Sequence, residues 1–347
     1  MKRVLVTPLD WGLGHATRCI PVINEFLKQK CEVQIAGSGS ALLLLQEEFP
    51  GLKFHELVSY NTQYSSWLPF MMKLVLQMPK FLLVVKKEHR QVGKIIEQEK
   101  IDIIVSDSRY GCYADSIPSV LINHQLNIIV SCTWLQSMVN YWNHKTINRF
   151  TQCWVPDFSN GITGKLTSPS PTKKVKYIGM LSRFEKKHVE RKYNVLALIS
   201  GPETQRTIFE EKLRNQLKHS SLTWFIVRGI PGKSERNEIN EANHLPVNEL
   251  NEVIESSEIV ICRPGYTTVM DLWKLEKKVI FIPTPGQTEQ EYLADELMKR
   301  KIAYAVSQDK FYLEEVLVCS KEYKGFERKQ ENEELTETIK QLLNEID

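Results

Sequence analysis

Ile259-Val260-Ile261-Cys262-Arg263-Pro264-Gly265-Tyr266-Thr267-Thr268-Val269-Met270-Asp271 is the stretch whose reading decides the fold. An apolar run stops at Arg-Pro-Gly, and apolar residues at Val269, Leu272 and Trp273 then follow helical spacing. A short Val/Ile run leading straight into a helix reads as a buried parallel strand and its crossover. Gly265, Thr267 and Thr268 fall where the first helical turn leaves N–H groups unpaired. Those amides, the hydroxyls and the positive end of the helix together suit a diphosphate. Asp271, two turns in, is placed to take both ribose hydroxyls. The same residues also suit an ordinary N-cap with Asp271 as a solvated acid, and the stretch alone leaves both readings open.

The same grammar extends outward in both directions. Strand candidates are Arg3–Leu9, Glu32–Ala36, Lys53–Leu57, Ile101–Ser106 and Pro118–Ile122, then Val195–Ser200, Leu222–Val227, Glu258–Cys262, Lys278–Ile282 and Ala303–Val306. Helical stretches separate them, so each half is expected to be a doubly wound α/β sheet with right-handed crossovers. Segment 160–174 is rich in Gly, Ser, Thr, Pro and Lys, and 185–192 is a run of charges. Both read as linker or surface. The expected organisation is a first domain at 1–165, a linker at 166–191 and a second domain at 192–347. The last helical segment, with Leu335, Ile339, Leu342 and Ile346, either stays with the second domain or packs back on the first. Two such sheets are expected to face a central cleft lined by the carboxyl ends of their strands, where ligands bind in open α/β sheets.

Two further loops fall at strand ends. Asp10-Trp11-Gly12-Leu13-Gly14-His15-Ala16-Thr17-Arg18 follows the first strand and opens a helix through Ile20, Ile23 and Leu27. Gly14 lets the backbone approach a ligand, and His15 reads either as a general base or donor or as a structural cap. Pro283-Thr284-Pro285-Gly286-Gln287-Thr288-Glu289-Gln290-Glu291-Tyr292 follows Val279–Ile282. Gln287, Gln290 and Glu291 offer hydrogen bonds to sugar hydroxyls, though a capped, solvated turn has the same composition.

Composition excludes several classes. With 347 residues the chain is long enough for two cores. A hydrophobic fraction of 42% and a charged fraction of 25% are those of a globular protein. A net charge of +3 gives no case for nucleic acid as a partner. The seven cysteines are odd in number and include no CxxC pair, which points to reduced thiols in a cytoplasmic protein. No signal peptide is read before the first strand, and charges and prolines interrupt the apolar region 67–85, so no membrane span is expected.

Taken in order, Gly12–Arg18, Cys262–Asp271 and Pro285–Tyr292 resemble the GT-B glycosyltransferases of the family-28 type. That family includes the UDP-N-acetylglucosamine transferase of peptidoglycan precursor synthesis, a cell-envelope reaction. The similarity spans roughly residues 1–307. It implies the GT-B fold of two Rossmann-like domains and an inverting transfer from a UDP-sugar. It puts the acceptor and diphosphate side at Gly12, Gly14 and His15, and the phosphate loop at Arg263, Gly265, Thr267 and Thr268. It also puts the ribose-binding acid at Asp271, sugar contacts at Gln290 and Glu291, and the uracil contact near Val247. A second diphosphate turn falls at Ser200-Gly201. The chain departs from the pattern at Pro264, which lacks an amide donor, at Asp271, which is shorter than the family's glutamate, and at Trp11-Gly12-Leu13-Gly14 and Glu291.

No Asp-x-Asp occurs in the chain, so no carboxylate clamp for a metal is expected, and no cofactor beyond the UDP-sugar substrate. His15 is the first candidate for the base and Asp107, in Ser106-Asp107-Ser108-Arg109, the second. The acceptor is expected to be a lipid-linked molecule or a glycan. Segment Met71–Lys94 carries six basic residues among apolar ones against Glu88 alone. It reads either as a peripheral membrane contact or as a helix with solvated lysines. Two rival readings use the same architecture: a UDP-sugar 2-epimerase, and a non-catalytic nucleotide-sugar-binding subunit.

Overall fold

The computed structural model describes residues 1–60, 70–130, 133–230, 239–328 and 333–346, with residues 70–79 as backbone only. The chain divides into two compact units, Met1–Leu181 with Asn332–Asp347, and Ser182–Glu331.

The first unit is built on a parallel sheet of seven strands in the order β3-β2-β1-β4-β5-β6-β7. These are β1 (Arg3–Pro8), β2 (Glu32–Gly37), β3 (Lys53–Glu56), β4 (Ile103–Asp107), β5 (Ser119–Ile122), β6 (Gln152–Val155) and β7 (Val175–Tyr177). The central strands β1, β4 and β5 are buried almost throughout, which is why they read as continuous apolar runs. The order reverses between β1 and β4, and loops at such a switch point frame the binding crevice of a doubly wound sheet. Helix α1 (Leu13–Lys28) leaves β1 directly.

The second unit repeats the plan with six parallel strands in the order β10-β9-β8-β11-β12-β13. They are β8 (Tyr193–Leu198), β9 (Trp224–Val227), β10 (Glu241–Ala242), β11 (Ser257–Cys262), β12 (Lys278–Phe281) and β13 (Tyr304–Ala305). The reversal falls between β8 and β11, so the loops after those two strands flank the crevice. Phe209, Leu213, Leu217, Phe311 and Val316 pack one face of this sheet.

Three strands were not expected from the sequence. β6, β7 and β10 are two to four residues long and carry polar residues at Gln152, Lys176 and Glu241, so they lack the apolar run that marks the central strands. They also move the boundary: β7 pairs with β6, so the first unit runs to Leu181, beyond the expected end at 165. The span 166–191 is therefore not a free linker, and the second unit begins at Ser182. The terminal helix α10 (Glu334–Asn344) belongs to the first unit. Leu335, Ile339 and Leu342 are its buried stripe, and Lys2 Nζ donates to Ile346 O at 3.1 Å. Six cysteines are described and all are free thiols, while Cys132 lies outside the described residues.

Candidate functional site

In the first unit, the end of β4 and the helix that follows β1 place two titratable groups together at the switch point. Asp107 ends β4 and is fully buried, and His15 stands in the first turn of α1, partly open to solvent. Nδ1 of His15 is 3.1 Å from Oδ1 of Asp107. Arg18, one turn further along α1, donates from Nε and Nη2 to the two Asp107 oxygens and brings Nη2 within 2.6 Å of His15 Nδ1. Its Nη1 lies 3.2 Å from His124 Nδ1. A carboxylate only accepts and a guanidinium only donates, so Nδ1 satisfies one of them at a time. A proton on Nδ1 serves Asp107 and leaves the Nε2 lone pair available.

Burial, together with the Arg18 charge, lowers the His15 pKa to about 4 against the opposing pull of Asp107. The imidazole is neutral at pH 7. Burial works against ionisation of Asp107, but Arg18 and His15 outweigh it and hold the carboxyl well below the usual carboxylate range. Asp107, the second candidate for the base, therefore stands behind His15 with both oxygens engaged and does not open to an acceptor.

The residues before His15 are also anchored. Asp10 Oδ2 accepts from Ser38 Oγ at 2.9 Å and from Ser59 Oγ at 2.5 Å, tying together the loops after β1, β2 and β3. Trp11 packs edge-on against Tyr60, with ring centroids 6.2 Å apart, and against Phe81. Buried Arg109 donates to Glu88 Oε1 at 2.6 Å and to Pro8 O at 2.7 Å, bracing the end of β1 from below.

In the second unit a cavity of about 180 Å³ opens at the carboxyl ends of β8 and β9. Arg183, Phe184, Val227, His244, Leu250, Thr268 and Asp271 are among its lining residues. Ser182 Oγ donates to Asp271 Oδ1 at 2.6 Å. Burial pushes the Asp271 carboxyl up to about 7, with Ser182 and Arg183 opposing. Gly265 is the N-cap of α7 (Tyr266–Lys274), with no side-chain cap, and the half-buried Thr267 and Thr268 stand in its first turn. Ser200 and Gly201, exposed, follow β8 across the switch point.

Several expected contacts are arranged differently. Arg263 is not a face of the phosphate turn: it is 1% exposed, and Nη1 donates to Ile282 O at 2.8 Å and Pro283 O at 2.9 Å. Its guanidinium lies 4.3 Å from the Phe209 ring centroid, so it knits main chain beneath the turn. Val247 opens α6 (Val247–Glu255) but does not line the cavity, whereas His244 and Leu250 on either side do. Gln290 Oε1 accepts from Thr284 N at 2.8 Å and Glu291 Oε1 from Gly286 N at 2.9 Å. Both side chains are turned onto their own loop, with Gln287 as the N-cap of the following helix.

Sequence reading missed Arg18, His124, Ser182, Arg183 and Phe184. Arg18 follows His15 at i+3 on one helix face, a spacing that brings side chains together. Ser182–Phe184 sit in a segment read as linker and carry no local signal.

Residues 207–345 match the glycosyltransferase family 28 C-terminal domain. A Methanosarcina mazei protein described as an uncharacterized glycosyltransferase is 25% identical over 321 residues, covering 83% of this chain and 81% of its own length. Among solved structures, the kitacinnamycin glycosyltransferase superposes with a TM-score of 0.63 at 15% identity, covering 99% of this chain and 94% of its own. The glycosyltransferase VinC in complex with dTDP superposes with a TM-score of 0.58 at 12% identity, covering 99% of each chain. Two doubly wound parallel-sheet units, the family-28 C-terminal match over residues 207–345 and the fold shared with these enzymes make the chain a glycosyltransferase with the GT-B fold.

Proposed function

We propose that the chain transfers a sugar from a UDP-sugar to an acceptor hydroxyl, with inversion at the anomeric carbon and without a metal. The observation that carries this reading is His15: neutral at pH 7, partly open to solvent, and held by the buried Asp107 at the switch point of the first sheet. The acceptor O–H proton passes to His15 Nε2 as the acceptor oxygen bonds the anomeric carbon. The bond from that carbon to the diphosphate oxygen breaks, and its electron pair leaves with UDP. Asp107 holds the tautomer and stabilises the imidazolium that forms.

The donor is assigned to the second unit, with the nucleoside in the cavity beside Phe184, His244 and Asp271. The diphosphate falls at the amino end of α7 and the Ser200-Gly201 turn, where main-chain amides and the helix dipole replace a metal's charge. Gln290 and Glu291 reach the sugar by rotating off their loop. VinC was solved with dTDP, so a pyrimidine diphosphate is the nucleotide class that fits the fold comparison. N-acetylglucosamine is our choice of sugar, and a lipid-linked molecule or a glycan in the cytoplasm our choice of acceptor.

Thermal-shift binding with UDP, dTDP, GDP and UDP-sugars, with and without magnesium, tests the reading. A magnesium-independent rise with UDP or one UDP-sugar, lost in Asp271→Ala, is expected. No shift with any uridine ligand overturns the donor assignment. Incubation with UDP-sugar alone must leave the sugar unepimerised, because a 2-epimerase needs no acceptor.

A further inference from the structure

Trp11 stands where the chain departs from the glycine-rich loop of the enzymes it resembles, and it is 38% exposed. One partly exposed tryptophan is ordinary by itself, and what marks this one is how it is held. Tyr60 and Phe81, the latter from α3 (Phe70–Glu99), meet it at centroid distances of 6.2 and 6.3 Å. Those two rings lie 5.3 Å from each other. Tyr60 is buried and fixed: its hydroxyl donates to Glu88 Oε2 at 2.7 Å, and the Arg109 guanidinium lies 5.6 Å from its ring centroid. Phe81 carries the aromatic run on to Tyr110, 6.2 Å away. Burial pushes the Tyr110 hydroxyl up to about 12, and the charges of Asp107 and Arg18 both act on it. The run of rings therefore begins at Trp11 and ends beside the carboxylate that holds His15.

The chain next to the indole leaves room for a ligand. Gly12 follows it with φ +114°, and a Cβ there would meet nothing within 4 Å. Gly12 is the N-cap of α1, and His15, in the first turn, is partly open to solvent. The indole N–H has no hydrogen-bond partner among the described residues. A rigid aromatic face, one unspent donor and a base thus border the same end of the first sheet, the mix of apolar wall and few polar groups that ligand sites use.

A molecule that fits this border offers a hydroxyl to His15, a flat apolar face to the indole and an oxygen to its N–H. A pyranose ring carries C–H bonds on its faces and hydroxyls around its rim, so a saccharide supplies all three. An alkyl chain supplies neither the flat face nor the rim oxygen. We propose that Trp11 selects a saccharide acceptor, taking the C–H face of one pyranose ring while a hydroxyl of that ring or the adjoining one meets His15. A free glycan and a lipid-linked one present the same rings. The inference rests on the acceptor side of the function proposed above and does not depend on which sugar the donor carries.

Fluorine NMR of the full chain labelled with fluorotryptophan and saturated with UDP tests it, the Trp11 signal being the one lost in Trp11→Phe. The probes are methyl glycosides of common disaccharides, octyl glycosides of the same disaccharides, octanol and benzyl alcohol. At least one disaccharide should move the Trp11 signal, and the two alcohols should not. Methyl and octyl forms binding alike make the acceptor a free glycan, and a much tighter octyl form makes it lipid-linked; both support the proposal. Trp11→Leu, which keeps an apolar contact with Tyr60 and Phe81, should weaken the Kd of that disaccharide about tenfold. Trp11→Phe should recover most of the loss, while melting temperature and the UDP-induced thermal shift stay at the wild-type values. A Trp11 signal moved only by octanol or benzyl alcohol, or by no probe while UDP still binds, overturns the proposal. If UDP itself does not bind, the donor assignment falls, and the same titration without UDP decides the saccharide reading.

Discussion

Asp107 Oδ1 stands 3.1 Å from Nδ1 of His15 where the strand order of the first sheet reverses, and Arg18 holds both of its oxygens. The histidine touches the acceptor in the proposed reaction, and the aspartate acts through it. His15→Ala should lower kcat by about 10²–10⁴-fold and leave the Kd for UDP unchanged. Asp107→Asn should lower kcat too, but it also leaves the buried Arg18 without its counter-charge. That costs about 3–5 kcal/mol of folding stability, read as a lower melting temperature. Equal melting temperatures for the two variants would contradict the buried ion pair.

The histidine's low pKa fixes the acid limb of the pH profile. With a pKa of about 4, the base form dominates down to mildly acidic pH. At saturating donor, where the Asp271 titration does not enter, the profile of kcat/KM for the acceptor should stay flat from pH 8 to about 5 and fall only as His15 protonates near 4. Stability moves in a different window: the unfolded chain takes a proton at about 6.5, the folded one only near 4, so His15 lowers stability as pH falls between them. An acid limb of activity centred near 6.5 would mean that the imidazole is not shielded by Arg18 and burial.

How much of this was legible follows from where each residue's signal lies. The central strands announced themselves because burial on both faces demands unbroken apolar runs, as in Ile103–Val105 and Ile259–Ile261. Edge strands such as Val175–Tyr177 carry no such run, and the first boundary slipped with them. His15, Gly265 and Asp271 were readable from their places after strands. The inward turn of Arg263 was not, because an arginine after a strand looks the same in sequence whether it meets an anion or main-chain carbonyls. Arg183 and Phe184 reach the cavity through tertiary folding alone.

Asp271 carries a second pH signature. Its carboxyl is pushed up to about 7, so in the ligand-free protein it ionises across neutral pH. In the proposed donor site the ribose hydroxyls donate to this carboxylate, and ionisation would therefore favour binding. The affinity for UDP, measured calorimetrically, should rise by about tenfold as pH passes from 6 to 8, an effect of the size expected for hydrogen bonds to a charged group. Asp271→Asn should weaken binding and flatten that dependence.

Arg263 separates a structural role from a ligand contact. Its charge is buried, and its nitrogens serve Ile282, Pro283, Gln205 and Gln308. Lysine cannot span that fork. Arg263→Lys should cost about 2 kcal/mol or more in urea unfolding, since it leaves buried carbonyls unpaired. The Kd for UDP of the folded protein should stay within about twofold of wild type. A large loss of affinity with unchanged stability would restore Arg263 to the diphosphate contact.

Gly229 tests the cavity wall itself. It follows β9 with φ +64°, and a Cβ there would lie 2.3 Å from the Ile199 carbonyl oxygen, which is main chain and cannot swing aside. Both residues line the cavity assigned to the nucleoside. An alanine must therefore part the ends of β8 and β9, adding a clash to the left-handed backbone. Gly229→Ala should lower stability by about 1–3 kcal/mol and weaken UDP binding, because the displaced strand ends frame the base. The two losses are separable by measuring the Kd well below the melting temperature, where the variant is fully folded. Destabilisation with wild-type affinity would place the nucleoside somewhere other than against the ends of β8 and β9.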